Sequence, residues 1–210
     1  EVEMIEQGSQ EWLELRQGKF NASETQVFMS KSPKLTQGAM TQVYKIVAER
    51  MGSQQPNKSS EAMRWGVKYE DEARDAYIDR TGYCVEEVSS IQHKDHPFIC
   101  GSPDGVIVEE RGGLEIKCPH APENHIKYAT DIEYIKSKHY TQIQQNIWIN
   151  ESLWWDFVSY DPRSEKLPLV IQRFHRDDEY IKMLEARLLN AEQVAQAMYN
   201  EILNPNCVEF

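Results

Sequence analysis

Two carboxylates and one amine are grouped within a short stretch of this sequence, residues 101–119. Asp104 precedes a run of β-branched residues, whereas Glu115 and Lys117 are two positions apart in a second apolar run. Side chains alternate between the two faces of a strand, so Glu115 and Lys117 share one face. If the two runs pair as a hairpin, Asp104 lies near both. The sequence therefore predicts two acids and one lysine at the mouth of a hairpin.

Such a cluster has a use in phosphate chemistry. Mg²⁺ binds oxygen ligands from one or two carboxylates and keeps several water molecules, so Asp104 and Glu115 suffice to hold one ion. Lys117 would orient or deprotonate a water molecule, or neutralise charge that develops on phosphorus. The plain alternative is a turn at Asp104 and a solvated strand face beyond it. The apolar neighbours Leu114 and Ile116 favour a buried strand, in which a charged pair needs a reason to be present.

The hairpin itself is predicted from strand and turn signals. Residues 106–108 form the first strand, and the polar, glycine-ended segment 109–113 leads to a second strand that Pro119 stops. A turn centred on Arg111 would place Val106 opposite Glu115.

A second group of polar residues would suit an anion. A helix predicted to begin at Asn21 would direct its first N–H groups and the Ser23 hydroxyl towards a negative charge, with Arg16 just upstream. On the residues alone, a helix cap and a surface arginine explain this group better. Likewise, Glu70 at the border of an apolar helical stripe is by itself an ordinary exposed acid.

The other elements follow from periodicity and end signals. Helices are predicted over residues 9–16, 21–29, 36–51, 61–80, 123–129, 139–150 and 177–203. Further strands are predicted over residues 83–88, 153–160 and 167–174. The order predicts an α/β fold, with a central mixed β-sheet flanked by helices in a single domain of residues 1–210.

Composition narrows the class of protein. The 210 residues include 40% hydrophobic residues and carry a net charge of −11, so any contact with DNA needs a local basic lining inside an acidic shell. The four cysteines lack CxxC spacing, which favours buried, reduced thiols over zinc or disulfides. The H-x-x-H pair His93 and His96 is predicted to be solvated. No apolar run reaches membrane-spanning length, which predicts a soluble, intracellular protein.

Six blocks resemble, in the same order, the lambda exonuclease family, which includes phage-type alkaline exonucleases and YqaJ-like viral recombinases. They are GSQEWLELRQGKFNASE, MRWGVKYEDEARDAY, GSPDGVI, GLEIKCP, HYTQIQQNIW and the YDPR turn. Pro103-Asp104 and Glu115-Ile116-Lys117 also match the PD-(D/E)xK motif of a nuclease superfamily. The resemblance covers nearly the whole chain and implies a restriction-endonuclease-like core.

The resemblance implies a magnesium-dependent exonuclease that digests one strand of linear double-stranded DNA from the 5′ end. The product would be a 3′ single-stranded overhang for recombination by strand annealing. Two Mg²⁺ ions are implied, with Mn²⁺ as a substitute. Further expectations are a ring-shaped homotrimer, a single-strand annealing protein as partner, no membrane, and the cytoplasm of a bacterial host that carries the phage or prophage.

The resemblance also implies roles for the residues of the hairpin. Asp104 and Glu115 become metal ligands together with the backbone carbonyl of Ile116. Glu70 becomes a further acid that acts on a second ion or through water. Lys117 handles the nucleophilic water.

Residues outside the hairpin receive roles in the same way. Gln142 matches a helix glutamine that supports the site. Arg16, Ser23 and Ser102 match a pocket for the 5′ phosphate. The loop at residues 30–37 departs most from the family, so no DNA-contacting residue is carried over there.

Two other functions are open on the same core. A restriction-type or repair-type endonuclease would cut covalently closed circular DNA. A non-catalytic module that binds DNA ends would need no intact acid cluster, so the presence of Asp104, Glu115 and Lys117 argues against it.

Overall fold

The computed structural model describes residues 9–54 and 60–204 and shows a mixed α/β fold, as predicted. Within these residues the α-helices are α1 (Gln10–Arg16), α2 (Gln37–Arg50), α3 (Glu61–Thr81), α4 (Pro122–Thr130), α5 (Ile132–Ile149) and α6 (Asp178–Leu203). The strands are β1 (Phe20–Asn21), β2 (Ile91–Gln92), β3 (Ile99–Gly101), β4 (Gly105–Ile107), β5 (Gly112–Lys117), β6 (Trp154–Tyr160) and β7 (Leu169–His175). A 3-10 helix spans Ala22–Phe28. None of the helices in this part of the chain is long and apolar enough to cross a membrane.

Local end signals explain where the helices begin and end. The Ser9, Ser60 and Asp177 side chains accept hydrogen bonds from backbone N–H groups in the first turns of α1, α3 and α6. Gly82, with φ at +74°, ends α3 in the left-handed conformation that glycine favours. These four positions confirm the predicted helix ends.

The predicted mixed sheet is present as two smaller mixed sheets. The first has the order β1-β3-β2, and the second has the order β4-β5-β6-β7 with β5 and β6 parallel. The chain passes from the first sheet to the second between β3 and β4, through Ser102, Pro103 and Asp104. Proline has no N–H for a ladder, which suits this break. Two of the predicted site residues therefore lie where one sheet gives way to the other.

The register of the β4–β5 hairpin differs from the prediction. Val106 pairs with Gly113 rather than Glu115, and β5 begins at Gly112, before the apolar run. The cause is a contact distant in sequence: a Cβ on Gly112 or Gly113 would lie 2.3 Å from the ring of Trp154 or Trp155, respectively. The two glycines are strand residues under tryptophan rings and are not part of the turn.

Helix α5 begins at Ile132, seven residues before the start predicted for it. Two other predicted elements are also wrong in part. The helix expected from Asn21 is the β1 strand followed by the 3-10 helix, because Phe20 pairs with Ile99 in the first sheet. The strand expected over residues 83–88 is reduced to a single bridge between Glu86 and Val106. Without more ladder partners, the rest of that segment is irregular.

Hydrophobic packing occupies both faces of the second sheet. Ala73 and Tyr77 of α3 pack with Leu114 and Ile116 of β5 in one buried cluster. A larger cluster joins α2, α5 and α6 to the 3-10 helix and the sheets. Glu115 faces α5, away from the cluster that holds Leu114, which confirms the predicted alternation of β5.

The predicted solvation of the histidine pair is wrong for His93. Its side chain is buried against the ring of Trp148, and its Nδ1 accepts hydrogen bonds from the N–H groups of Asp95 and His96. His93 is therefore a packing residue that organises its own loop.

The predicted burial of the thiols is confirmed in part. Cys100 and Cys118 are buried and free, whereas Cys84 is free but exposed. Cys207 lies outside the described residues.

Replacing Gly113 tests the tryptophan contact. Gly113→Ala is expected to lower the free energy of unfolding by about 1–3 kcal/mol, because the added methyl group overlaps the buried Trp155 ring. Gly66→Ala in α3 is the matched control: its Cβ meets no atom within 4 Å, and a helical alanine should stabilise by about 0.5–1 kcal/mol. Urea unfolding measures both. A Gly113→Ala variant as stable as the wild type would refute the packing account.

Candidate active site

One open cleft with a volume of about 640 Å³ gathers every residue that the sequence singled out for chemistry. Its walls come from α1, the 3-10 helix, α3, β5, α4 and α5. The predicted residues that line it are Arg16, Ser23, Glu70, Ser102, Asp104, Glu115, Ile116, Lys117 and Gln142. Residues separated by more than a hundred positions thus share one cavity.

Asp104 is fixed by the open edge of β5. Pairing between β4 and β5 ends at Gly105 and Leu114, and beyond it the N–H of Ile116 donates to Asp104 Oδ2 at 2.6 Å. The N–H and C=O of one strand residue point to the same side. The Ile116 carbonyl therefore faces the same edge as the Asp104 carboxylate, which places two oxygen donors side by side.

Glu115 is almost fully buried and is held from helix α5. Gln142 donates from Nε2 to Glu115 Oε1 at 2.6 Å, and Asn146 donates from Nδ2 to Oε2 at a longer 3.5 Å. Lys117 forms an ion pair with the same carboxylate. Asn146 was missed by the sequence reasoning, although it lies one helical turn beyond Gln142 on the same face.

Arg74 is a second residue that the sequence reasoning missed. Its buried side chain donates from Nε to the Asp104 carbonyl at 3.1 Å and pairs with Glu70 at 3.3 Å. It therefore ties α3 to the start of β4. The i,i+4 spacing of Glu70 and Arg74 indicated a pair, but the position of Asp104 depends on the tertiary fold.

The acids of the cleft are crowded and poorly solvated. Burial raises the pKa of Glu115 to about 7, although Lys117 opposes the shift. Burial and the neighbouring Asp104 raise the pKa of Glu70 to about 7. The pKa of Asp104 is also raised, chiefly by burial. Ionising all three acids together is costly, so a bound cation would stabilise the charged cluster.

Lys117 responds in the opposite way. Burial alone would lower the pKa of its ammonium group, but Glu115 and Asp104 together outweigh this effect and raise it. Lys117 is therefore a charged donor at neutral pH.

The donor set fits a hard divalent cation. Two carboxylates, Asp104 and Glu115, converge with the Ile116 carbonyl, and such oxygen groups are the ligands of Mg²⁺. Glu70 adds a further carboxylate, and it lies close enough to Asp104 for the Asp104 charge to raise the pKa of Glu70. Within residues 9–54 and 60–204, no group of three or more His, Cys, Asp or Glu side chains forms a preassembled metal site.

The far wall of the cleft carries a cation and two hydroxyl groups. Arg16 donates from Nη1 to Ser102 Oγ at 2.9 Å and from Nη2 to Ser23 Oγ at 3.4 Å. Its guanidinium carbon lies 4.0 Å from the centroid of the Trp12 ring, which supports it from α1. The planar guanidinium and the hydroxyls would suit the oxygen atoms of a terminal phosphate.

The sequence and the fold of this chain are similar to those of known proteins. Residues 11–152 match the YqaJ-like viral recombinase domain. The alkaline exonuclease LHK-Exo from Laribacter hongkongensis is 30% identical, with a TM-score of 0.80 over 92% of this chain and 96% of that one. The same enzyme in complex with dAMP gives a TM-score of 0.81 at 29% identity, over 92% of this chain and 96% of that one.

Two more distant relatives add less. A phage related exonuclease from Haemophilus somnus is 18% identical with a TM-score of 0.74, over 88% of this chain and 96% of that one, and supports the fold alone. An uncharacterized protein of Acanthamoeba polyphaga mimivirus is 27% identical over 171 residues, or 75% of this chain. The chain spans only 29% of the length of that viral protein.

The raised pKa of Glu70 predicts a pH-dependent loss of stability. Glu70 titrates near 4.5 in the unfolded chain and near 7 in the fold, so folding takes up a proton between these values. In EDTA, the free energy of unfolding should therefore fall as the pH rises from 4.5 to 7. Glu70→Gln removes this group, so the fall should be shallower.

Urea unfolding across that pH interval checks the prediction. Glu109→Gln, at an exposed acid in the turn between β4 and β5, is the control and should keep the wild-type slope. Identical slopes for Glu70→Gln and the wild type would show that the pKa of Glu70 is not raised in the folded protein.

Proposed function

The chain belongs to the family of YqaJ-like viral recombinase domains, and from that premise we propose that it is a metal-dependent exonuclease acting on linear double-stranded DNA. It digests one strand from the 5′ end and leaves a 3′ single-stranded overhang for recombination by strand annealing. The observation that carries the proposal is the presence, in one cleft, of an acid cluster and the Arg16, Ser23 and Ser102 corner.

Mg²⁺ is the proposed cofactor, with two ions bound and Mn²⁺ as a substitute. Asp104, Glu115 and the Ile116 carbonyl would hold one ion, and Glu70 would serve the second directly or through water. When bound, the ions supply charge stabilisation for the phosphoryl oxygens and activation for a hydrolytic water. The raised pKa values of Glu70 and Glu115 support this assignment, because a cation relieves the repulsion that causes part of the shift.

The protein's own groups supply positioning. Lys117, kept protonated by Glu115 and Asp104, donates to the nucleophilic water or to the phosphoryl oxygens as negative charge builds up. Gln142 keeps the Glu115 carboxylate in a single orientation through its short hydrogen bond. Neither contact requires DNA to be present, so the site is preorganised before the substrate arrives.

The phosphate corner supports the proposed direction of digestion. A 5′-terminal phosphate bound by Arg16, Ser23 and Ser102 would lie in the same cleft as the acids, which places a phosphodiester bond near the strand end at the acid cluster. After each cut, capture of the new terminal phosphate would draw the next bond into register. An endonuclease has no use for an end-phosphate site beside its acids, so this corner favours an exonuclease over that alternative.

We further propose an oligomeric state, a protein partner and a cellular location. A ring-shaped homotrimer around DNA would explain how a chain with a net charge of −11 stays on a polyanion, because encirclement rather than bulk charge would retain it. A single-strand annealing protein is the proposed partner, and the cytoplasm of a bacterial host is the proposed location.

Removal of a proposed metal ligand should stop digestion while the fold remains. Asp104→Asn keeps the size of the side chain but removes its charge, so the rate in Mg²⁺ should fall by more than the roughly 10–100-fold typical of supporting residues. Gln142→Ala, which removes only support for Glu115, should fall within that roughly 10–100-fold range.

Glu109→Gln is the matched control, because Glu109 is an exposed acid on the same hairpin. Initial rates on linear duplex DNA and circular dichroism measure activity and folding. Wild-type rates for Asp104→Asn with an intact fold would end the metal-site assignment.

The end-phosphate site gives a separate prediction. Linear duplex with a 5′ phosphate should be digested faster than the same duplex with a 5′ hydroxyl. Arg16→Ala should erase most of this preference, because losing one charge-assisted contact costs about 1.5–3 kcal/mol.

Arg80 of α3 is exposed and lies outside the set of cleft-lining residues, so Arg80→Ala controls for the loss of a positive charge. Initial rate and product length are measured for the wild type and both variants, on the duplex with a 5′ phosphate and on the duplex with a 5′ hydroxyl. If Arg16→Ala discriminates between the two ends as well as the wild type does, the end phosphate binds elsewhere.

A further inference from the structure

The YDPR turn, which the proposed chemistry does not use, is built around one arginine. Arg163 forms a two-pronged pair with Asp161, with Nε to Oδ1 at 2.8 Å and Nη2 to Oδ2 at 2.9 Å. The Arg163 backbone N–H also donates to Asp161 Oδ1 at 3.0 Å. Asp161 is buried, so the guanidinium is held in a fixed plane.

The remaining donors of that guanidinium hold the chain that leaves β5. Nη1 donates to the carbonyl of His120 and Nη2 to the carbonyl of Pro119, both at 3.1 Å. The ladder between β5 and β6 ends where Lys117 pairs with Ser159. Arg163 therefore continues the connection between the two strands for three residues beyond the ladder.

The flat face of the same guanidinium packs on helix α3. Its central carbon lies 4.3 Å from the centroid of the Trp65 ring. Trp65 in turn packs against Tyr69 at 4.5 Å and against the edge of His120 at 5.6 Å. Tyr69 directly precedes Glu70. Arg163 is therefore connected to Glu70 through Trp65 and Tyr69, which are one turn apart in α3.

We propose that Arg163 is a positioning residue that fixes Lys117 relative to Glu70. It joins the exit of β5, three residues or fewer from Lys117, to Trp65, which lies five residues before Glu70 in α3. Arg163 itself is not among the residues that line the cleft. This inference rests on the proposed nuclease function, because the positioned groups are those of the acid cluster.

Lysine cannot replace the arginine in this role. A lysine keeps the positive charge but offers neither the planar fork for Asp161 nor a flat face for Trp65. Arg163→Lys therefore separates a role based on geometry from a role based on charge. A contact between Arg163 and a DNA phosphate, which its partly exposed side chain would permit, is the charge-based alternative.

The chain offers a close control in Arg173. It pairs with buried Asp156 through Nε and Nη2, both at 2.8 Å, and packs on Trp154 at 3.5 Å. The exposed fractions of the two arginine side chains are similar, at 36% for Arg173 and 40% for Arg163. Arg173 contacts neither the β5 exit nor the cleft, so Arg173→Gln reports the cost of losing such a pair without a change at the site.

The test compares Arg163→Gln, Arg163→Lys and Arg173→Gln by kcat, KM for linear duplex DNA in Mg²⁺, and Tm. Both Arg163 variants should lower kcat by roughly ten- to a hundredfold, as for a small misplacement of reacting groups, with KM unchanged. Arg173→Gln should lower Tm by a similar amount while keeping kcat. Equal kcat values for Arg163→Gln and Arg173→Gln would overturn the proposal. The proposal would also be overturned if Arg163→Gln raised KM and Arg163→Lys had the wild-type KM, because that pattern indicates a contact between the positive charge and a DNA phosphate.

Amide hydrogen exchange gives a readout that needs no activity. Arg163→Gln should speed exchange in residues 118–121 and in the first turns of α3, whereas Arg173→Gln should leave these segments unchanged. If the wild type digests no DNA, the proposed function fails, and exchange still decides whether Arg163 joins the two elements. Unchanged exchange in both segments would refute the inference on its own.

Discussion

Three neighbouring carboxylates that water solvates poorly are the constraint on which the rest of this structure depends. Glu70, Asp104 and Glu115 are crowded into one cleft where burial raises the pKa of each. An ordinary fold would separate such groups. Here Lys117 pairs with one acid and Arg74 with another, and backbone and amide donors hold the carboxylates in place. A divalent cation bound among these carboxylates would offset the cost of ionising them together, which supports the proposed metal site.

The sequence predicted this cluster because its signals are local. Period-two alternation separates Glu115 from Leu114, and the predicted pairing of two short strands as a hairpin brings Asp104 near Glu115 and Lys117. Helix ends were equally accessible, since an N-cap such as Ser60 acts on its own first turn. The roles of the outlying residues came from family resemblance. The structure brings all of them into one cleft, and their functions remain proposals.

The errors came from contacts between residues distant in sequence. The hairpin register depends on Trp155 lying over Gly113, and no signal within the hairpin reports a ring from β6. His93 resembled a solvated loop residue until Trp148 covered it. Asn146 went unnoticed for the same reason, because a polar helical residue is singled out only when the acid it faces is known. Sequence periodicity locates elements, whereas tertiary packing decides which side chains meet.

An exonuclease that starts at 5′-phosphorylated ends is best distinguished by the order in which it releases products from a defined substrate. A linear duplex would carry a radiolabelled 5′ phosphate on one strand and a fluorescent label at the 3′ end of that strand, beside a covalently closed circle of the same sequence. In Mg²⁺, we expect early release of the radiolabel in short products, late release of the fluorescent label, and an uncut circle. Cleavage of the circle, or release of the 3′ label first, would contradict the claim that the acids and the phosphate corner form one exonuclease site.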